Sequence, residues 1–392
     1  MFGGYLINDF LLSINENDIS INYQKQYNQD FIANVSLKQY LKNIKAEIDK
    51  VHDKWDALKK YTNKYEFINT SVSSQVEPNI KASVCAYKPI SRSFFKMIEI
   101  LDNFEFRFGP NIKSFHLAEG PGGFIEALAK RRTSRSDVYN AMTLMDSHND
   151  VPKWNKINNL TCVKGTINLL SGPRGDGNLY LKHNLDYISE NFSNKIDFIT
   201  ADGGFDYSVD FNRQEENSIN LIFCEVLYAL IIQKEGGSFV LKIFDAFHRN
   251  TLEIIQLLCF FYKRVSIYKP LTSREANSEK YVICQNFQIP QNYHQILTKL
   301  KANFKDLRKE KLTRIFKHDM NVFYLNKIQE INAIFGQQQI ENILSTMNHI
   351  HEYKKLETNE KLKKMKMNNI ERCKKWCIDY REPIHKHFTN PI

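Results

Sequence analysis

Apolar and polar residues follow each other along the central part of the chain in blocks that predict strands alternating with helices. Short apolar runs such as residues 195–201 and 238–243 are typical of buried strands, and longer runs with helical periodicity separate them. The predicted strands are residues 114–119, 141–146, 161–164, 195–201, 238–243, 264–268 and 280–284. The predicted helices between them are residues 124–130, 184–191, 215–233 and 251–261. This order predicts an α/β fold with a mostly parallel sheet that helices cover on both faces.

Both flanks of this central region have a helical and polar pattern. Residues 37–65 carry apolar residues at helical spacing, which predicts one or two amphipathic helices packed on the core. Residues 292–348 show a similar pattern, and residues 352–375 are rich in lysine. The predicted organisation is a helical N-terminal extension (residues 1–85), an α/β domain (residues 86–290) and a basic helical C-terminal extension (residues 291–392).

One predicted strand runs directly into a glycine-rich turn, in the segment Ser-Phe-His-Leu-Ala-Glu-Gly-Pro-Gly-Gly-Phe at residues 114–124. The glycines let the backbone turn sharply and let a ligand approach it, and the following helix directs its partly positive N-terminus at the turn. Glu119 suits a cationic or hydroxyl-rich ligand such as S-adenosylmethionine better than a triphosphate. The spacing matches neither a dinucleotide-binding turn nor a phosphate loop. An ordinary structural turn is the alternative.

Charged residues stand at the ends of other predicted strands, where ligands bind in open α/β sheets. Asp202 follows the strand at 195–201, and Lys242 lies inside the apolar strand at 238–243. A lysine is costly to bury unless it has partners or a lowered pKa. Lys96 lies on a predicted helix at residues 91–101. Asp146 closes the second predicted strand and is either a ribose ligand or a turn cap.

Four linked segments resemble the FtsJ/RrmJ-like ribose 2'-O-methyltransferases. They are Ser-Arg-Ser-Phe-Phe-Lys, Ala-Asp-Gly-Gly-Phe, Leu-Lys-Ile-Phe-Asp and Ser-Arg-Glu-Ala-Asn-Ser-Glu-Lys-Tyr, and they are most similar to the cap-specific mRNA branch of eukaryotes and large DNA viruses. The resemblance covers roughly residues 88–287. It implies a Rossmann-like seven-stranded methyltransferase sheet, S-adenosylmethionine as cofactor and RNA as substrate. It also implies a catalytic tetrad, which consists of Lys96, Asp202, Lys242 and Glu279.

The resemblance further implies a set of cofactor-binding residues. They are Ser91, Glu119, Gly120, Pro121, Gly122, Gly123, Phe124, Asp176, Asn178 and Asp202. The segment Gly175-Asp176-Gly177-Asn178 departs from the family pattern, which often has an acid where Asn178 stands. Which residue meets the adenine of the cofactor therefore stays open.

The chemistry of ribose methylation calls for such a tetrad. A ribose hydroxyl is a poor nucleophile at neutral pH, so holding its oxygen in line with the methyl group carries much of the rate. A lysine acts as general base only if its pKa falls toward the working pH. Burial and Lys96 would lower the pKa of Lys242, while Asp202 and Glu279 would oppose that shift. We interpret Lys242 as the base or as the group that orients the hydroxyl, with the other three residues as one coupled frame.

Composition narrows the class of partner and of environment. Among 392 residues, 54 Lys and Arg outnumber 44 Asp and Glu, and the net charge of +10 favours a polyanion such as RNA. Seven cysteines, mostly in apolar runs, predict reduced thiols and an intracellular location, in cytoplasm or nucleus, or in the virion or host cytoplasm if the chain is viral. We expect no secretory signal and no membrane span. We also expect no metal, since Cys373, Cys377, His385 and His387 lack zinc-finger spacing.

Other functions remain as alternatives. Within the same chemistry the substrate is ribosomal or transfer RNA instead of capped mRNA, although the long flanks favour mRNA. A non-catalytic RNA-binding subunit on the same fold and a dehydrogenase on the same sheet are the rivals from other classes. Several aromatic residues are candidates to stack on a methylated guanine, and the sequence does not choose among Tyr23, Tyr27, Tyr87, Phe205 and Tyr207.

Overall fold

The structure is a computed structural model of the chain. It describes residues 4–8, 13–25, 31–73, 79–145, 154, 157, 160, 162–204, 211–305, 307–352 and 356–389, except for the side chains of residues 211 and 356–359. The chain forms two compact units. The first unit consists of Met1–Val35, Asn103–Lys269 and Glu279–Ala333, and the second unit consists of Ser36–Asp102, Pro270–Ser278 and Ile334–Ile392.

The strands and helices of the described residues follow the alternation that the sequence predicts. The strands are β1 (Tyr5–Leu6), β2 (Ile19–Gln24), β3 (Val72–Ser73), β4 (Lys81–Ala82), β5 (Lys113–Leu117), β6 (Val138–Met142), β7 (Thr166–Leu170), β8 (Ile196–Ala201), β9 (Gln233–Ile243), β10 (Tyr262–Tyr268), β11 (Lys280–Phe287) and β12 (Lys311–Phe316). The helices are α1 (Val35–Asp49), α2 (His52–Thr62), α3 (Ser93–Asn103), α4 (Gly123–Arg132), α5 (Lys182–Phe192), α6 (Gln214–Ile232), α7 (Arg249–Phe261), α8 (Tyr293–Ala302), α9 (Val322–Glu352) and α10 (Leu356–Asp379).

The first unit is built on an eight-stranded sheet with the strand order β1-β10-β11-β9-β8-β5-β6-β7. Strands β5 to β9 are parallel to their neighbours among themselves, while β11 runs antiparallel to β9 and β10 antiparallel to β11. The central strands are buried on both faces, as helix-covered parallel strands must be. The prediction of an α/β fold with a mostly parallel, Rossmann-like sheet is confirmed, with the short β1 added at one edge.

Two strand positions differ from the prediction. The second strand begins earlier than predicted, because β6 starts at Val138 and ends at Met142, before Asp146, which lies outside the described residues. The prediction of a strand at residues 161–164 is wrong, since the strand in this part of the chain is β7, which begins at Thr166. As the edge strand of the sheet, β7 is largely exposed, so its sequence Thr-Ile-Asn-Leu-Leu lacks the strong apolar pattern of a buried strand.

The flanks contain strands as well as the predicted helices. Helices α1 and α2 confirm the amphipathic pair predicted for residues 37–65. The purely helical description is wrong at β2 and β12, which pair antiparallel although about 290 residues separate them. Leu312 and Ile315 of β12 are buried, and no local pattern in the sequence predicts this burial. The three-domain boundaries stay a prediction. Among the described residues, no helix is both long and apolar enough to cross a membrane.

The second unit has its own apolar core. Trp376 of α10 is 1% exposed, and its ring lies against Phe95 of α3 with 5.7 Å between the ring centres. The indole N–H donates to Glu99 Oε1 at 3.1 Å, so the buried carboxyl and the tryptophan hold each other. Helix α10 is therefore part of a folded core, although Ile378 on the same helix is exposed.

Candidate active site

The glycine-rich turn forms where the sequence predicts it, between β5 and α4. The Gly122 N–H donates to the carbonyl oxygen of Glu119 at 2.9 Å, which closes the turn. Gly122 has φ = 106°, in the left-handed region that favours glycine, and it caps the N-terminus of α4. The Ala118 N–H donates to the carbonyl oxygen of Met142 at 2.8 Å, which joins the turn to the carboxyl end of β6.

Glu119 is held at the carboxyl end of β5 by a buried chain of polar side chains. The Thr200 hydroxyl of β8 donates to Glu119 Oε1 at 2.6 Å, and His116 Nδ1 contacts the same oxygen. His116 Nδ1 also lies 2.7 Å from Thr200 Oγ1, and His116 Nε2 lies 2.9 Å from Ser114 Oγ. Glu119 Oε2 is buried and has no hydrogen-bond partner among the described residues. One oxygen is thus fixed by the sheet, and the other is available to a ligand.

The electrostatics of Glu119 fit a ligand that donates hydrogen bonds or carries positive charge. Burial raises the pKa of this carboxyl, and nearby Asp202 raises it further, while His116 and Thr200 lower it. A cationic or hydroxyl-bearing ligand would supply the partner that Oε2 lacks.

Lys242 is fixed at the end of β9 by Asp202, which follows β8. The Lys242 ammonium group donates to the backbone carbonyl oxygen of Asp202 at 2.7 Å, and it lies 3.3 Å from Asp202 Oδ1. The residue is 9% exposed. Because β8 and β9 are parallel neighbours, the sequence-predicted pair meets at one edge of the sheet, on the side where Glu119 also lies.

Opposing influences act on the pKa of Lys242, as the sequence predicts. Burial lowers the pKa of Lys242, but the carboxylates of Asp202, Glu279 and Glu225 together outweigh burial and raise that pKa above its usual value. Asp202 and Glu279 are the two acids expected from the sequence, and Glu225 is the third. A lysine with a raised pKa stays protonated near neutral pH, which favours the orienting role over that of a general base.

Glu279 belongs to the same site, immediately before β11. Its carboxylate raises the pKa values of both Lys242 and Tyr281. Its backbone carbonyl oxygen accepts a hydrogen bond of 3.0 Å from Lys269 Nζ, which holds the start of β11. The structure therefore brings together Asp202, Lys242 and Glu279 of the predicted tetrad.

Tyr281 is a site residue that the sequence analysis missed. Its hydroxyl donates to Asp202 Oδ1 at 3.0 Å, and its ring lies 5.9 Å from the ring of Phe124. Phe124 is buried, so its side chain packs behind the turn. The signal was the strand itself, since Tyr281 lies directly opposite Lys242 in the pairing of β11 with β9.

We expect Tyr281→Phe to lower the free energy of unfolding by about 1–2 kcal/mol, because the partly buried Asp202 carboxylate loses one donor. It should also lower kcat, because Asp202 positions Lys242. Tyr262→Phe is the matched control, since the Tyr262 hydroxyl is equally buried but bonds to Gln233. Urea unfolding and turnover measure the two effects. Equal turnover in both variants would show that Tyr281 supports the fold alone.

Lys96 and Ser91 lie in the second unit. Lys96 is a buried residue of α3, and Ser91 Oγ accepts the N–H of Ser93 at 3.3 Å just before that helix. On the same helix, Glu99 accepts the backbone N–H groups of Leu271 and Thr272 at 2.6 and 2.8 Å. The roles of Lys96 in catalysis and of Ser91 in cofactor binding stay predictions.

The loop with Asp176 and Asn178 lies at the carboxyl end of β6, where the Met145 N–H donates to the Asp176 carbonyl oxygen at 2.8 Å. The Asp176 carboxylate accepts from the Asn178 N–H at 2.9 Å and from the Asn184 amide at 2.6 Å, and it contacts His183 at 2.9 Å. Despite burial, these bonds hold the pKa of Asp176 below its usual value. Asp176 thus shapes the loop, and its cofactor contact stays a prediction.

A comparison with known families decides what this site belongs to. The family model for the "FtsJ-like methyltransferase" domain matches residues 89–287, half of the chain. The chain belongs to the FtsJ-like methyltransferase family. The resemblance found in the four sequence segments is confirmed, and the Asp202–Lys242 pair lies within the matched residues.

The FtsJ-like chain is also similar to individual proteins. The cap-specific mRNA (nucleoside-2'-O-)-methyltransferase 2 of Pongo abelii is 28% identical over 359 residues, 88% of this chain and 44% of that protein. The cap-specific mRNA (nucleoside-2'-O-)-methyltransferase of Autographa californica nuclear polyhedrosis virus is 33% identical over 171 residues, 42% of this chain and 63% of that protein. This chain thus spans less than half the length of the first relative.

A solved structure, that of a putative ribosomal RNA methyltransferase from Plasmodium falciparum, gives a TM-score of 0.36 at 18% identity, over 50% of this chain and 97% of that one.

The aromatic residues that were candidates to stack on a methylated guanine lie in different parts of this FtsJ-like chain. Tyr23 donates to the Asn303 carbonyl oxygen at 2.9 Å, and Tyr87 lies 5.1 Å from Phe94, so both pack within their own units. Tyr27, Phe205 and Tyr207 lie outside the described residues. Among the residues that are described, no three His, Cys, Asp or Glu side chains gather to hold a metal ion.

Proposed function

We propose that this chain transfers a methyl group from S-adenosylmethionine to a ribose 2'-hydroxyl of RNA, at the cap-proximal nucleotide of mRNA. The observation that carries the proposal is the Lys242 ammonium group, which Asp202 fixes at the carboxyl edge of the sheet. A bulky polar substrate reaches this edge in α/β sheets, and methyl transfer to an oxygen depends above all on positioning.

The residues present fit S-adenosylmethionine. The cofactor supplies an electrophilic methyl group on a positively charged sulfur. The carboxyl groups of Glu119, Asp202, Glu225 and Glu279 act electrostatically on one another or on Lys242, so the site is rich in acid and favours a cation. Glu119 Oε2 would accept a hydroxyl or amino hydrogen of the ligand. The turn at residues 120–123 would let the ligand approach the backbone.

Lys242 would hold the ribose hydroxyl. An ammonium group has three N–H donors, and Asp202 engages it at 2.7 and 3.3 Å. We assign the remaining donor to the 2'-oxygen, so that Lys242 aims a lone pair of that oxygen at the methyl group. As a base, Lys242 would first have to lose its proton, and the surrounding carboxylates oppose that loss. The hydroxyl proton would instead pass to water as the oxygen–methyl bond forms and the carbon–sulfur bond breaks. Asp202 would act by fixing the amine, and Tyr281 by fixing Asp202.

Capped mRNA is the substrate that the relatives' names and the charge of the chain support. Both relatives are named for cap-specific 2'-O-methylation, and the net charge of +10 suits a polyanion. Ribosomal and transfer RNA remain the alternatives within the same reaction.

Methyl transfer from labelled S-adenosylmethionine to paired short RNAs, with and without a methylguanosine cap, tests the proposal. We expect label only in the capped RNA, and nuclease mapping should place it on the ribose next to the cap. Equal labelling of both RNAs would make a different RNA the substrate. No labelling of any RNA, with bound cofactor, would support a non-catalytic RNA-binding subunit.

Helix α10 would add a phosphate-binding face to the second unit. Lys361, Lys363 and Lys364 are exposed, and Lys366 is half-buried. Burial and the nearby Lys60 of α2 lower the pKa of Lys366, so these two cations lie close enough to repel each other. A polyanion would relieve that repulsion.

We expect reversal of these four charges to glutamate to weaken RNA binding, because each lost phosphate contact removes roughly 0.7 from the logarithmic salt slope. Turnover on saturating short capped RNA should stay nearly unchanged. Deletion of residues 352–392 is the poorer test, since it removes the buried Trp376.

The matched control reverses four exposed lysines at the amino end of the sheet, namely Lys113, Lys195, Lys234 and Lys263. Filter binding across a salt series measures both proteins. An unchanged slope in the α10 variant, or an equal loss in the control, would assign the RNA track to another surface.

A further inference from the structure

Glu225 is an acid in an apolar setting that the proposed mechanism leaves without a role. It is the only charged residue in the run Leu-Ile-Phe-Cys-Glu-Val-Leu-Tyr-Ala-Leu-Ile-Ile at residues 221–232, and it is 1% exposed. A buried carboxyl costs several kcal/mol unless it is neutral or well partnered. Glu225 Oε1 has no hydrogen-bond partner among the described residues. An apolar residue would pack here at a lower cost in free energy, so the presence of an acid requires an explanation.

The carboxyl group lies directly against the backbone of Gly203. A Cβ atom placed on Gly203 would come within 2.2 Å of Glu225 Oε1 and 2.8 Å of Leu221 Cδ2. Only a glycine therefore allows α6 to approach the loop that follows β8. The Gly203 backbone N–H also lowers the pKa of the Glu225 carboxyl as a hydrogen-bond donor. Glu225 thus holds this loop from the side of α6.

The loop held in this way is the one that fixes Lys242. Asp202, just before Gly203, bonds to the Lys242 ammonium group through both its backbone and its side chain. On the other side, a Cβ atom on Gly204 would lie 3.1 Å from Lys242 Nζ. The segment Asp202-Gly203-Gly204 therefore lies against Glu225 at its middle residue and against the Lys242 amine at its two end residues.

We propose that Glu225 is a positioning residue, whose carboxyl fixes the Asp202-Gly203-Gly204 loop and, when it ionises, adds negative charge beside the ammonium group of Lys242. The proposal rests on the proposed function for its catalytic consequence and on the geometry alone for the coupling of the two side chains.

Three charged side chains act on Glu225, and they come from three different strand ends. Burial raises the pKa of Glu225 well above its usual value; Lys242 lowers it, Asp202 and Glu119 raise it, and the Gly203 backbone bond lowers it. The coupling is reciprocal, since Glu225 is among the groups that raise the pKa of Lys242. Removing one neighbour at a time therefore shifts the Glu225 titration in opposite directions.

Carbon NMR of protein labelled with 13C in the glutamate side-chain carboxyls measures this titration without any activity assay. The signal that Glu225→Gln removes identifies Glu225. We expect Lys242→Met to move the Glu225 midpoint up by about one pH unit and Asp202→Asn to move it down by a similar amount, as for charges in close contact. A general loosening of the fold would move both midpoints in the same direction.

Glu253 is the internal control in the same spectra. It is fully buried on α7, burial raises its pKa to about 7, and it accepts the backbone N–H of Phe316 at 3.3 Å. Glu253→Gln identifies its signal, and neither Lys242→Met nor Asp202→Asn should move its midpoint. The proposal is overturned if the Glu225 midpoint stays in place in both variants, or if Glu253 shifts equally.

The catalytic consequence is tested by Glu225→Gln, which keeps the shape and the acceptor but removes the ionisable carboxyl group. We expect kcat to fall at least tenfold, while the affinity for S-adenosylmethionine changes less than threefold. If the wild-type protein is active and the kcat of this variant equals that of the wild type, Glu225 is coupled to Lys242 but has no positioning role. Absence of methyl transfer by the wild-type protein would instead contradict the proposed function and leave the NMR result to decide the coupling.

Discussion

Lys242→Ala is expected to lower the rate of methyl transfer at least 100-fold while the affinity for S-adenosylmethionine stays within a few-fold of wild type. The loss follows from the position of the amine, which Asp202 fixes at 2.7 Å at the end of β9 and which we assign to the target hydroxyl. Single-turnover methyl transfer and calorimetry measure the two quantities. A rate above about a tenth of wild type would remove Lys242 from the centre of the reaction.

Two further lysine variants sharpen that result. Lys234→Ala is the matched control, because Lys234 lies on the same strand but is exposed and pairs with Asp197 at 2.9 Å; full activity is expected. Lys242→Arg is expected to fail, because the longer, planar guanidinium group does not replace a compact ammonium group at the position that Asp202 fixes. Activity in the arginine variant would show that positive charge alone suffices.

Glu119→Gln is expected to weaken binding of S-adenosylmethionine by about ten- to 100-fold, since a hydrogen bond to a charged group contributes roughly 1.5–3 kcal/mol. The glutamine still offers an oxygen to Thr200, so the buried polar chain with His116 keeps its main contact. The change therefore falls on Oε2, the oxygen without a partner. Calorimetry measures the affinity, and thermal unfolding checks that the variant is folded.

Glu190→Gln serves as its control, because Glu190 is an exposed residue of α5. Wild-type affinity in both variants would assign Glu119 a structural role only.

Gly122→Val tests the turn itself, and the structure changes what that variant is expected to do. From the sequence alone, a branched side chain would block the cofactor and leave much of the fold intact. Because Gly122 has φ = 106°, valine also strains the backbone at the start of α4. We expect lost cofactor binding together with a lower melting temperature. Normal cofactor affinity in this variant would contradict a ligand-binding turn.

Local sequence was sufficient to predict the parts of the site that depend on one segment. Gly122 and Glu119 follow from a strand that runs into a glycine turn, and Lys242 and Asp202 follow from charges at the ends of apolar strands. Family resemblance linked these segments, and the sheet order confirms that Asp202 and Lys242 are neighbours.

The parts that sequence missed depend on contacts between distant segments. Glu225 lies in an apolar run of α6, and no local pattern predicts a role for it, because its contact with Gly203 exists only after α6 packs on the sheet. The net direction of the Lys242 pKa could not be predicted for the same reason, since Glu225 adds a third acid to the two expected ones. Strand β12 was missed because its partner, β2, lies at the other end of the chain.

The antiparallel pairing of β9 with β11 has a consequence for how this chain can change length. Tyr281 stands opposite Lys242, and both reach Asp202 from adjacent strands. Side chains alternate between the faces of a strand, so one residue gained or lost within β11 would turn the tyrosine hydroxyl away from Asp202. Natural insertions and deletions should therefore be absent from Lys280–Phe287 and tolerated beyond its ends, a pattern that sequencing of close relatives can reveal.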